Sequence, residues 1–243
     1  TSGTASPSRL TSVQQYGKGV TLDGTGSITG GTALPAVSST YTTIPNSFNI
    51  WTWASTTNWS GFEVIPGDFN GDGLTDIYLH GRYGTTNSDY MGLSTGSGFT
   101  QWTWGNSGAN WTGYEVIPGD YNGDGKTDIL LHGRYGTANG DNLGLSTGTG
   151  FTIWTWASAS NWSGYEVIPG DYNGDGKADL YLHGREGTGN GDNLGLSTGS
   201  GFTIWTWASV TNWSDFEVIP GDYNGDGKSD IYLHGRYTSG YSD

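Results

Sequence analysis

Four times in 243 residues the chain sets Asp, Asn, Asp, Gly and Asp at the first, third, fifth, sixth and ninth places of a short loop: 68–76, 120–128, 171–179 and 222–230. Alternate residues of a curled loop point inward. The side chains of Asp68, Asn70 and Asp72, of Asp120, Asn122 and Asp124, of Asp171, Asn173 and Asp175, and of Asp222, Asn224 and Asp226 can therefore turn oxygen toward one centre. Gly at the sixth place permits the sharp bend. The seventh residue (Leu74, Lys126, Lys177, Lys228) offers its backbone carbonyl whatever its side chain, and Asp76, Asp128, Asp179 and Asp230 complete each set. Hard oxygen donors with no nitrogen or sulfur suit Ca²⁺ over Zn²⁺, and Mg²⁺ demands stricter geometry and dehydrates reluctantly. One such loop reads as a turn, since Asp, Asn and Gly are turn residues. Four in register, each entering an apolar run, read as one Ca²⁺ per loop and four in total. The twelfth place holds Leu79, Leu131, Leu182 and Leu233 where an EF-hand carries Glu, and no helical pattern flanks it, so an EF-hand is excluded.

Other chemistry recurs at the same period. The only histidines, His80, His132, His183 and His234, each stand two residues before an arginine, Arg82, Arg134, Arg185 and Arg236, and share a strand face with it. Each repeat also has a Glu at the start of its first strand: Glu63, Glu115, Glu166 and Glu217. Two readings stay open. Arg pairs with that Glu, or stacks on Trp, between neighbouring repeats; or Arg and His donate to a sugar hydroxyl or carboxylate beside an exposed ring. All 12 tryptophans belong to the repeat. The Trp-Thr-Trp pairs (Trp51 and Trp53, Trp102 and Trp104, Trp154 and Trp156, Trp205 and Trp207) lie on a strand and are expected to pack repeat against repeat. Trp59, Trp111, Trp162 and Trp213 follow a turn-like run; they cap the core edge or stack on a sugar ring. The asparagines before them, Asn58, Asn110, Asn161 and Asn212, form glycosylation sequons but are read as turn residues.

These residues need a scaffold that repeats. The loops begin at spacings of 52, 51 and 51 residues, a period that marks a repeat array. Within one period lie four strand-like runs, EVIPGD, TDILLHGR, NLGLST and FTIWTWA in the second repeat, broken by NGDGK, YGTANGD and GTG. Apolar residues on both faces of the second run (Ile129, Leu130, Leu131) require cover on both sides. The fold class is therefore all-β, with four-stranded blades in a β-propeller of about four blades; five blades, or closure between chains, stay open. The last repeat stops after two strands, and NSFNIWTWAS (46–55) supplies a fourth strand with no first or second before it, so an N-terminal strand is expected to close the last blade. Residues 1–43 are a Gly/Ser/Thr-rich arm or an atypical extra blade, and 44–243 form the repeat propeller.

Composition narrows the function. The formal charge is −14, and 12 of 23 acidic residues sit in the four loops, so four Ca²⁺ would bring the charge to −6. Nine Lys and Arg without a basic run disfavour nucleic acid. No long apolar run predicts a membrane span. There is no cysteine, so no disulfide or thiolate site exists; outside the cell some other clamp would be needed, and a metal could serve. No repeat carries a residue set the others lack, and residues 1–43 hold no His or Glu and a single Asp, Asp23, so no catalytic residues are assigned and no enzyme is expected.

The segments PGDFNGDGLTDIYLHG, PGDYNGDGKTDILLHG, PGDYNGDGKADLYLHG and PGDYNGDGKSDIYLHG resemble FG-GAP/VCBS-type repeats, over about residues 44–243. That family includes integrin-α-like propellers, secreted bacterial proteins and propeller lectins. The resemblance implies a propeller with one Ca²⁺ per blade on the loop residues named above; the repeats here are shorter and fewer than in integrin-type rings. The expected function is an extracellular or cell-surface, calcium-binding module that binds glycans or a surface partner, lectin-like or adhesive. The alternative is a structural, self-assembling homo-oligomer in which terminal strands pair between chains.

Overall fold

Short apolar runs cut by glycine turns give short antiparallel strands. A computed structural model describes residues 12–13, 16, 19–33, 37–38, 59–103, 111–155, 162–206 and 213–236. The chain divides into two compact units, Thr1–Thr52 and Trp53–Asp243. In the first unit β1 (Ser12–Val13) pairs with β4 (Val37–Ser38), and β2 (Thr21–Leu22) pairs with β3 (Ile28–Gly30). The turn between β2 and β3 is held by the Asp23 carboxylate, which accepts from the N–H of Thr25 and of Ser27.

The second unit is built of meanders. β5 (Phe62–Gly67), β6 (Asp76–Gly81), β7 (Tyr90–Ser94) and β8 (Phe99–Thr103) form one four-stranded antiparallel sheet in sequence order. β9 (Tyr114–Gly119), β10 (Asp128–Gly133), β11 (Asn142–Ser146) and β12 (Phe151–Thr155) form the second. β13 (Tyr165–Gly170), β14 (Asp179–Gly184), β15 (Asn193–Ser197) and β16 (Phe202–Thr206) form the third. β17 (Phe216–Gly221) pairs with β18 (Asp230–Gly235) alone. The described residues hold no helix. The fold is thus all-β with four-stranded repeats, and each sheet is open at its edges rather than closed on itself. The N-terminal strand expected to complete the last blade falls at 46–55, outside the described residues.

The core lies between successive sheets. Phe69, Tyr78, Met91 and Leu93 of the first repeat pack against Ile129 and Leu131 of the second. Tyr121, Leu130 and Leu143 of the second pack against Leu180 and Leu182 of the third. Strand β10 is covered on both faces, as its continuous apolar run requires: Ile129, Leu130 and Leu131 are all buried. Each buried side chain of this kind contributes roughly 1.5–3 kcal/mol. The first residues of β12 and β16 wedge edge-on into the Asp loop of the preceding repeat: Phe151 meets Phe69 at 5.9 Å, and Phe202 meets Tyr121 at 5.6 Å. At Gly144 a Cβ would meet the Ile129 and Ile153 side chains at 2.8 Å, so glycine leaves room for that isoleucine pair. The Trp-Thr-Trp expectation is corrected at Trp205, which lies on the opposite strand face from Phe202 and Ile204 and is 61% exposed. Trp51, Trp53, Trp104, Trp156 and Trp207 lie outside the described residues.

Candidate functional site

Each Asp loop joins the first and second strands of its sheet, and the ninth-place Asp begins the second strand. The loop folds around its first carboxylate. Asp68 accepts from the N–H of Gly71 at 2.8 Å, Asp72 at 3.1 Å and Gly73 at 2.8 Å, and the same three bonds recur at Asp120, Asp171 and Asp222. The Asn70 side-chain oxygen accepts from Asp72 N–H, and Asp72 accepts from Leu74 N–H. Two left-handed glycines make this spiral possible, Gly71 at φ 77° and Gly73 at φ 84°, so the fourth place bends as well as the sixth.

The ninth-place Asp has different surroundings. Asp76, Asp128 and Asp179 are fully buried, and Asp128 accepts from Tyr121 N–H at 3.0 Å and Ser146 N–H at 2.7 Å. Burial pushes Asp128 up to about 6; those two N–H groups pull it down, and the charges of Asp124 and Asp120 add to the rise. Asp76 and Asp179 are raised for the same first reason. The exposed fifth-place carboxylates are lowered where a lysine lies across them. Lys126 Nζ is 3.0 Å from Asp124 and Lys177 Nζ is 3.0 Å from Asp175; the Asn70 and Asn173 amide N–H₂ groups also donate to Asp72 and Asp175, and in the first loop, with Leu74, that amide acts without a lysine.

The donor chemistry of these loops fits a hard divalent cation: oxygen throughout, with a ninth-place carboxylate raised first by burial and then by its neighbours' negative charge. The arrangement in this structure directs those oxygens to the loop's own N–H groups, and no three His, Asp or Glu side chains among the described residues gather at metal-binding distance. Asp68, Asn70, Asp72, Leu74 and Asp76 are the residues that would hold the ion in the first loop, and their equivalents would do so in the other three.

The loops are joined to one another. Thr127 N–H donates to Asp68 O, Ala178 N–H to Asp120 O and Ser229 N–H to Asp171 O, each at 2.7 Å, so every loop is hydrogen-bonded to the one before. Ser146 Oγ donates to Phe69 O, and Ser197 Oγ to Tyr121 O, while the same serines' N–H groups hold Asp128 and Asp179.

The histidines and arginines sit at the other end of the strands. His80, His132 and His183 are fully buried. Their Nδ1 atoms meet Asp89, Asp141 and Asp192 at 3.0–3.1 Å, and their Nε2 atoms meet the carbonyls of Tyr114, Tyr165 and Phe216 in the next repeat at 3.0–3.2 Å. Both ring nitrogens are thus engaged, one at a carboxylate and one at a backbone carbonyl. This corrects the reading of those three histidines as sugar ligands: no solvent-facing donor remains. His234 is exposed, on the last repeat. Asp89 and Asp192 also accept from Tyr78 and Tyr181 hydroxyls, at 2.6 and 2.7 Å. Hydrogen bonds from His183, Tyr181 and Gly184 N–H outweigh burial and hold the Asp192 carboxyl below its usual range.

The arginines reach back one repeat, to the Glu that begins the first strand there. Arg134 meets Glu63 at 3.0 Å, Arg185 meets Glu115 at 3.0 Å and Arg236 meets Glu166 at 2.9 Å. Arg82, on the first repeat, donates from Nε to Ser60 O. Trp59, Trp111, Trp162 and Trp213 are half-buried on the aromatic residue opening each first strand, with ring centres 5.2–5.4 Å apart. The four sequon asparagines lie outside the described residues.

Sequence reasoning missed Asp89, Asp141 and Asp192. The signal was present: an Asp follows each His by nine residues, Asp243 included. It also passed over Tyr83 and Tyr135, which are strongly exposed beside Arg82 and Arg134.

No curated protein matches the chain. Among solved structures, the V. cholerae biofilm matrix protein Bap1 aligns at 21% identity and a TM-score of 0.37, covering 76% of this chain and 31% of that one. The chain thus spans about a third of that protein's length. A model of the FG-GAP-like repeat matches residues 68–131, from the first Asp loop through the second strand of the second repeat. Over those residues the chain carries an FG-GAP-like repeat, the family its loop sequences resemble.

Proposed function

We propose that this chain is a non-enzymatic, extracellular adhesion or surface module in which equivalent repeats bind carbohydrate multivalently. In this reading Ca²⁺ braces each Asp loop and the repeats close into a small propeller. The observation that carries it is the sameness of the junctions: loop to loop, His to carbonyl and Arg to Glu, the same contacts recur between successive repeats. Such an array presents the same outward loops at fixed intervals, and equal weak sites on a rigid support gain avidity. Calcium is supported by the all-oxygen donor set and by the raised, buried Asp128. An extracellular location is supported by the FG-GAP-like repeat. The buried histidines take no part in binding. A glycan array probed in Ca²⁺ and again after EGTA tests the proposal: binding that falls on chelation is expected, and an array without hits, acidic sugars included, would sink it.

One observation favours self-assembly as a second reading. Ile219, Tyr223 and Tyr232 of the last repeat are 39%, 59% and 44% exposed, whereas Tyr121 and Tyr181, at the corresponding places in inner repeats, are 0% and 3%. A second copy could cover that face. Mass that rises with concentration in light scattering, and stays monomeric in Tyr223→Asp, is the expected signature; a monomer at every concentration would remove this reading.

A further inference from the structure

We propose that Tyr83 and Tyr135 are stacking platforms for a neutral saccharide, one on each of two successive loops between the second and third strands. This rests on the carbohydrate reading above and assigns it to residues. Both rings stand out in solvent, at 65% and 62% exposure. Isolated exposed rings are common on protein surfaces, so exposure alone carries little.

The third repeat supplies the comparison that makes these two informative. There the same place holds Glu186, also exposed. The loop around it is unchanged. Thr188 N–H donates to Arg185 O at 3.1 Å, as Thr85 and Thr137 donate to Arg82 and Arg134 at 3.0 Å. The threonine hydroxyl reaches the same carbonyl in all three, and Asn190, Asn139 and Asn87 each donate to the carbonyl of the glycine preceding the first strand, Gly164, Gly113 and Gly61. The third residue of each turn, Gly84, Gly136 or Gly187, takes φ near 80°. The loop therefore folds alike with Tyr or Glu, and the ring is not there to build it.

One ring is also held in place. Arg134 of the next repeat lies 5.8 Å from the Tyr83 ring centre, within cation–π range, and the same guanidinium is tied to Glu63 at 3.0 Å. A ring backed by an anchored cation keeps a fixed outward face at little entropic cost on binding. The ligand's charge follows from the surroundings. The Arg134 charge is already answered by Glu63, and a chain of net charge −14 repels polyanions. What fits is a polar, uncharged ligand with an apolar C–H face, which is the face of a pyranose ring.

The test is affinity electrophoresis of the full chain, in Ca²⁺, through gels holding dextran, mannan or galactomannan, with alginate as the acidic comparison. Retardation by at least one neutral gel is expected. The double variant Tyr83→Ala, Tyr135→Ala should bind about tenfold more weakly with its melting temperature unchanged, and Glu186→Tyr should bind more tightly than the parent. Wild-type retardation that the double variant retains overturns this assignment and leaves carbohydrate binding standing. Retardation by alginate alone overturns the neutral ligand. No retardation in any gel overturns both this inference and the reading it rests on. A fall in melting temperature for the double variant, with no gain from Glu186→Tyr, shows the rings to be structural and overturns it as well.

Discussion

Two sets of aspartates sit in the same repeats in opposite surroundings. Asp68, Asp72 and their equivalents are partly or fully open to solvent and hold the turn together through its own N–H groups. Asp89, Asp141 and Asp192 are almost fully buried, each against a histidine that bonds the next sheet. The first set is clustered and its mutual repulsion is relieved by water or by a cation. The second is solitary, and burial makes its partner indispensable. Carboxylates that recur as a motif thus shape a local loop, and carboxylates that recur singly lock one repeat to another.

The sharpest break of this contrast is a pair of deletions in chelator. Asp141→Ala leaves the buried His132 Nδ1 without its hydrogen-bond partner, and an unsatisfied buried polar group costs about 1–3 kcal/mol in urea unfolding. Asp124→Ala, at an exposed place, should cost roughly 1 kcal/mol or less in the same chelator. Equal costs would erase the distinction.

Calcium should reverse the emphasis. At a hundredfold excess over Kd each occupied loop adds about 2.7 kcal/mol, and Asp124→Ala should lose one such increment while Asp141→Ala keeps them all. A melting temperature indifferent to EGTA would remove the ion from the account.

Acid sharpens the buried side. Asp192 is held below its ordinary value of 3.8, so the stability it adds is complete above that pH and is lost as pH falls through the lowered value. Melts between about pH 5 and about pH 2 should therefore decline less steeply in Asp192→Asn than in the parent. A parallel decline would mean that Asp192 has no share in the acid limb.

The smallest effect belongs to the rim. The Arg134–Glu63 pair is partly exposed, with side-chain accessibilities of 19% and 36%. A double-mutant cycle should give about 0.2–1 kcal/mol, shrinking in salt. A coupling as large as the Asp141 effect would move the main lock from the histidines to the arginines.

How much of this was legible follows from how far each feature depends on a neighbour. The four-stranded repeat and the place of the Asp loops could be read directly, because Gly71 and Gly73 punctuate the chain and Ile129, Leu130 and Leu131 leave no polar face. Pairing of Arg with Glu was one of two open readings, and the structure adds its direction, back to the preceding repeat. The histidines misled because a polar side chain on a strand reads as solvent-facing until the next sheet's carbonyl is set beside it. Asp89 was overlooked for a related reason: in a segment such as YGTTNSD an acid passes for a turn residue, although its nine-residue spacing from His80 recurs in every repeat. Trp205 went the other way, since its strand pattern shows two apolar faces and only packing tells which one is covered.

The hydrogen bonds from Thr127 and Ser146 and the ion pair from Arg134 all run backward, to Asp68, Phe69 and Glu63. A ribosome releases those acceptors first. Each newly emerged repeat would therefore meet its acceptors already in place on the one before, and synthesis could proceed as stepwise accretion.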